Sequence, residues 1–272
     1  MAIRQTVVAL MGACLLLTGG CASAPSVTSF APVTESIEDD ALLIVINDPR
    51  GERRRRGVGP GYRVTEAYAD DPILARATTA LASDYGLSVL EQWPLRNLGV
   101  HCFVVSRPAP EVVDAISADQ RVKWLQPFNQ FDLQSAAAAP GVQSADPDCL
   151  LCRFARDVDS LGQGVRIAVI DTAVDTTHPD LRDSRVDVRN FAGRRGNPAE
   201  EKHGTAVVGL IAARANGPKG LNGAAPDARV HLLRGCWQDG SGEGRCNTLT
   251  LALALDAAID LEPDILNLSL TG

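Results

Sequence analysis

The 272 residues are 45% apolar and 22% charged, which is enough apolar material for more than one cored domain and excludes global disorder. A net charge of -7 and a pI near 5.1 exclude a general binder of nucleic acid or anionic membrane, because phosphate attraction needs a basic surface. The basic run Arg53 to Arg56 reads as a solvated loop.

In chain order, Arg4 and the short apolar run Thr6 to Leu17 have the form of an export signal, too short to span a membrane comfortably. They lead into Leu17-Thr18-Gly19-Gly20-Cys21-Ala22-Ser23, which resembles the lipobox of bacterial lipoproteins. That resemblance implies cleavage before Cys21, lipidation of Cys21, and a place in the bacterial cell envelope, exported and lipid-anchored to a membrane. Thr18 stands where the motif usually has an aliphatic residue, so ordinary secretion stays open as the alternative. Residues 1–21 are thus signal and lipobox. Residues 22–40, rich in Ser, Pro, Thr and acids, form a flexible tether.

Ala41 to Asn47 has a buried-strand pattern, and Asp71 to Tyr85 carries apolar residues at helical spacing and stops at Gly86. Leu87 to Leu90 and Val100 to Ser106 read as strands, Pro110 to Ala118 as a helix, and Arg121 to Phe131 as a last strand. The order β-α-β-β-α-β over 41–133 is compatible with a small α+β ferredoxin-like domain. Residues 134–149 are small, polar and proline-punctuated, and read as a linker open to proteolysis.

In the region 150–272, a helix is expected from Leu150 to Leu161, then a continuous apolar run from Gly164 to Asp171. A helix from His203 to Ala213, a strand from Ala228 to Leu233, a helix from Leu249 to Leu261 and a strand from Asp264 to Leu270 follow. This alternation predicts a doubly wound parallel α/β sheet, with its site at the carboxyl ends of the strands, where Asp171 falls.

Of the seven cysteines, Cys14 leaves with the signal and Cys21 takes lipid. The nine residues between Cys236 and Cys246 are rich in Gly and polar groups and can fold back, so a disulfide is expected there. Cys149-Leu-Leu-Cys152 has no second ligand pair, and reads as a disulfide or packing feature rather than a metal site. No metal and no cofactor is expected.

An aspartate closing a strand can simply cap the following turn. Here Val165-Arg-Ile-Ala-Val-Ile-Asp171-Thr172-Ala173-Val174-Asp175 continues into His178-Pro179-Asp180-Leu181, and the whole resembles the aspartate motif of the subtilases. His203-Gly204-Thr205-Ala206-Val207-Val208-Gly209 resembles the histidine motif of the same family, and Gly223-Ala-Ala-Pro226 its GxAP turn. Asp239-Gly-Ser-Gly242 resembles the edge that pairs with an extended substrate, which makes Gly240, Ser241 and Gly242 substrate-binding. Leu266-Asn-Leu-Ser-Leu-Thr-Gly272 resembles the pocket wall, which adds Ser269, Leu270 and Thr271.

The resemblance implies a subtilisin-like serine endopeptidase acting on proteins or peptides through an acyl-serine, with Asp171 and His203 as two members of an Asp-His-Ser triad. The family's GTSxAxP serine motif has no counterpart in these residues, so 150–272 is expected to be the N-terminal portion of the catalytic domain. Ala173 and Thr271 stand where the family usually has glycine. His178 is implied to be a structural neighbour of the site, while His101 and His231 read as packing or surface residues. The front domain then resembles a subtilase propeptide, an intramolecular inhibitor removed on maturation. The alternative is a catalytically inactive, truncated envelope lipoprotein that binds peptides or proteins, poorly soluble because apolar faces stay uncovered.

Overall fold

The structure is a computed structural model that describes residues 41–47, 72–133, 161–216 and 222–271. The signal, Cys21, the tether, the linker at 134–149, Cys149 and Cys152, and the helix expected from Leu150 fall outside the described residues.

The first unit contains β1 (Ala41–Asn47), α1 (Pro72–Tyr85), β2 (Val89–Leu95), β3 (Val100–Ser106), α2 (Pro110–Ser117) and β4 (Val122–Pro127). Its sheet has the order β2-β3-β1-β4 with antiparallel neighbours throughout. β1 and β3 are buried on both faces, as continuous apolar runs require. One face carries Leu42, Ile44, Ile46, Phe103 and Val105 against Leu81 of α1 and Ile116 of α2. α1 ends where Gly86 takes φ +63, with the Leu87 amide bonding back to the Ala82 carbonyl at 2.8 Å.

The second sheet is parallel, ordered β11-β6-β8-β7, from β6 (Arg166–Asp171), β7 (Arg185–Asn190), β8 (Arg229–Arg234) and β11 (Ile265–Leu268). α3 (His203–Ala212) covers one face, where Val208 and Ala212 meet Ile167, Val169, Val230 and Leu232. α4 (Thr248–Leu261) covers the other, with Ala254 and Ala258 on Ala168, Ile170 and Leu233. The expected doubly wound α/β arrangement is therefore present. α4 is apolar nearly all round for a physical reason: its opposite side, with Leu249, Ala252 and Leu253, packs under Leu43, Val45, Trp93 and Cys102 of the first sheet. Asp256 of α4 also accepts the backbone amides of Arg96 and Asn97 in the β2–β3 turn, at 3.2 and 3.0 Å.

Several boundaries differ from expectation. β2 begins at Val89 rather than Leu87. The single strand expected over Arg121 to Phe131 is two, because Pro127 has no amide to extend the ladder and Phe128 turns in, its amide bonding Ala41 O at 2.9 Å. β5 (Gln130–Leu133) instead joins a third sheet, ordered β12-β5-β10-β9, with β9 (Cys236–Gln238), β10 (Gly244–Asn247) and β12 (Leu270–Thr271). The strand expected over Asp264 to Leu270 likewise divides, β11 going to the parallel sheet and β12 to this one. β7, β9 and β10 were not foreseen; β7 is a polar, largely exposed edge, and the other two are very short.

Cys236 and Cys246 face each other across β9 and β10 and form the expected disulfide. It closes a short loop, for which chain entropy gives about 2–3 kcal/mol. Changing both cysteines to serine should lower the unfolding free energy by about that amount in urea titration; an unchanged midpoint contradicts the assignment.

Candidate active site

Asp171 ends β6 with its side chain fully buried, and His203 opens α3 with its ring 17% exposed. His203 Nδ1 lies 2.7 Å from Asp171 Oδ1, which also accepts the Thr172 amide at 2.7 Å. A buried carboxylate bonded to one ring nitrogen fixes the imidazole's tautomer and orientation, and stabilises its charged form.

Close approach of α3 to the end of β6 depends on Gly204. A Cβ there would sit 2.5 Å from Thr172 O and 2.6 Å from Ala173 O, while the Gly204 amide donates to Thr172 Oγ1 at 2.8 Å. Gly204→Ala should therefore destabilise the protein by about 1–3 kcal/mol and push His203 off Asp171. A thermal melt equal to the parent's contradicts this contact. Ala173, which stands at this turn where glycine is usual, keeps φ out of the left-handed region and is tolerated.

Three residues that sequence reasoning did not single out hold this corner. Glu201, two residues before His203, accepts the Ala173 amide at 2.6 Å and pairs with buried Arg234 at the end of β8. Gln238 of β9 accepts the Lys202 and His203 amides at 2.5 and 3.1 Å, taking the place of a side-chain N-cap on α3. None belongs to a motif, and a lone polar residue between motifs gives no periodic or spacing signal.

The expected substrate residues lie in or beside the third sheet. Gly240, Ser241 and Gly242 form the β9–β10 turn, where Gly242 takes φ +85 and the Ser241 amide donates to Asp239 Oδ1 at 2.9 Å. Bonds from Ser241 hold the Asp239 carboxyl below its usual range. The Gly242 amide also bonds within the turn, to Asp239 O at 2.9 Å, and the strand that pairs with β5 begins beyond the turn, at Gly244. The turn still touches the site, because Gln238 Nε2 donates to Gly242 O at 2.6 Å.

On the other wall Leu270 and Thr271 form β12, and Ser269 precedes it, accepting from Asn267 Nδ2 at 3.1 Å. β5 lies between the walls, antiparallel to both: Asp132 faces Arg245 and Thr271, and Leu133 faces Leu270. Leu133 is seated over Gly244, where an added Cβ would overlap its Cδ1 and come within 2.9 Å of its Cβ.

The remaining histidines lie elsewhere. His178 sits in an exposed turn and accepts the Asp180 amide at 3.2 Å; His101 is buried beside Gln92; His231 lies 3.5 Å from Asp187, with burial lowering its basicity. Among the described residues no cluster of His, Cys, Asp and Glu could hold a metal.

Residues 162–272 match the model of the Subtilase family. The chain is 34% identical over 164 residues to the thermophilic serine proteinase of Bacillus sp. (strain AK1), covering 58% of this chain and 39% of that protein. It is 37% identical over 150 residues to the cell wall-associated protease of Bacillus subtilis (strain 168), covering 53% of this chain and 16% of that one. The chain thus spans well under half the length of these curated relatives. Fervidolysin from Fervidobacterium pennivorans, a keratinolytic enzyme related to subtilisin, superposes with a TM-score of 0.56 at 18% identity, over 86% of this chain and 36% of its own. Residues 162–272 are thus similar in sequence to the Subtilase family, and the chain shares the α/β fold of a subtilisin-related enzyme.

Proposed function

We propose that the protein is a serine endopeptidase, that Asp171 and His203 are the orienting acid and general base of its triad, and that the serine is supplied outside these 272 residues. The observation that carries this is the 2.7 Å bond between a fully buried Asp171 and a part-exposed His203 at the carboxyl ends of a parallel sheet. His203 would take the proton from serine as it attacks the peptide carbonyl, and return it to the leaving amine. Extended substrate would add as a strand between β10 and β12, so main-chain bonds would supply much of the binding.

The unit over 41–133 we assign as a propeptide-like, intramolecular inhibitor. Its strand order, with a crossover helix in each half, is the ferredoxin-like arrangement. β5, its last segment, fills the slot that substrate would use. Maturation would cut within 134–148.

Placement in the bacterial envelope follows from the Cys21 lipobox. Labelled fatty acid should be incorporated by the parent and lost in Cys21→Ala; unchanged labelling removes the anchor from the account. The second reading, a lipoprotein that binds peptides without catalysis, is favoured by a slot between β10 and β12 that seats an extended strand. Casein hydrolysis by protein made from the complete reading frame decides between them: turnover that tracks removal of residues 41–133 supports the enzyme, and binding of casein without cleavage supports the second reading.

A further inference from the structure

Glu201 and Arg234 form an ion pair whose side chains are 1% and 2% exposed. A buried pair is less stable than apolar groups of the same volume unless its bonding capacity is filled. Here it is used on nearly every side. Arg234 Nε donates to Glu201 Oε2 at 2.9 Å, and Nη2 donates to Glu201 Oε1 and, at 2.5 Å, to the Arg195 carbonyl. Nη1 donates to Asn190 Oδ1 at 3.0 Å and Gly193 O at 3.4 Å, and Glu201 Oε2 takes the Ala173 amide at 2.6 Å.

The location gives the pair a role. Arg234 is the cross-strand partner of Asp171 in the parallel sheet, and Ala173 follows Asp171 by two residues, just as Glu201 precedes His203 by two. Asp171 is held at one oxygen only: Oδ1 bonds Thr172 and His203, while buried Oδ2 has no hydrogen-bond partner among the described residues. The carboxylate's orientation must therefore come from the backbone on either side of it. Gly204 N to Thr172 Oγ1, at 2.8 Å, and Asp175 N to Thr205 Oγ1, at 2.9 Å, also tie those segments, but with uncharged acceptors. A carboxylate acceptor makes the stronger bond.

We propose that Glu201 and Arg234 are positioning residues, which hold the Asp171 and His203 segments in register through the Ala173 amide. The inference rests on the Asp-His reading above. A purely scaffolding pair would instead set stability and leave the Asp171–His203 bond of any folded variant untouched.

Nitrogen-labelled histidine in the whole protein lets the His203 Nδ1–H be followed by NMR. Its low-field resonance in the parent tests the underlying Asp-His reading, and absence there contradicts that reading whatever the variants do. In the double variant Glu201→Leu/Arg234→Met, which fills the space without a stranded charge, exchange of this proton with water should rise by about tenfold or more. Glu201→Gln keeps an acceptor for Ala173 and should fall between. A folded double variant with the parent's exchange rate overturns the proposal, and so does failure of both variants to fold, which leaves the pair as scaffold alone.

Discussion

His203→Ala, in protein carrying its whole catalytic domain, lowers kcat for peptide hydrolysis by roughly a million-fold and leaves KM within a few-fold, the behaviour of Asp-His-Ser triads. KM is spared because substrate binding is assigned to the β10 and β12 edges, which owe their place to the third sheet and the disulfide rather than to the imidazole. Asp171→Asn costs less, roughly ten-thousand-fold, since the amide still fills the buried position but no longer favours the tautomer with the base nitrogen outward. The two losses do not add, because both disable one proton transfer. A drop of under about tenfold in kcat for His203→Ala would place the chemistry elsewhere.

The second large effect concerns latency. Leu133 is 8% exposed and packs with Phe131, Leu270 and the Cys236–Cys246 disulfide. Leu133→Asp sets a carboxylate in that apolar seat without a partner, at a cost of about 2–4 kcal/mol against the docked strand. Inhibition by the front domain should weaken by roughly 30- to 1000-fold, read as a shortened lag before purified zymogen becomes active. Gly244→Val reaches the same end from the opposite wall, since its side chain would occupy the space of Leu133. An unchanged lag in both variants would mean that β5 does not block the cleft. Amino-terminal sequencing of the mature species should place the cut just beyond Leu133.

How much of this was legible in sequence depended on whether a feature was local. β1 and β3 were located to the residue because they are buried apolar runs, and the end of α1 because Gly86 marks it. Asp171 and His203 were found by motif, and the structure brings them into hydrogen-bond contact. The third sheet was not legible, because its strands are two to four residues long and come from three separated stretches of chain. For the same reason the sequence singled out the glycines of the β9–β10 turn, while the strand that pairs with β5 is Gly244–Asn247. Glu201, Arg234 and Gln238 were invisible for a different reason: nothing in a sequence distinguishes a polar residue that is exposed from one that is buried and bonded. Ile265, Leu266 and Leu268 are exposed on β11, the outermost strand of the parallel sheet among the described residues.

The central claim is that Asp171 and His203 activate a serine, and a fluorophosphonate that labels only activated serines tests it most directly. Protein made from the complete reading frame, once cut between the two units, should take up one label per chain on a serine, and His203→Ala should abolish the labelling without unfolding the protein. Folded, cut protein that takes no label, or His203→Ala that labels at the parent's rate, would contradict the account.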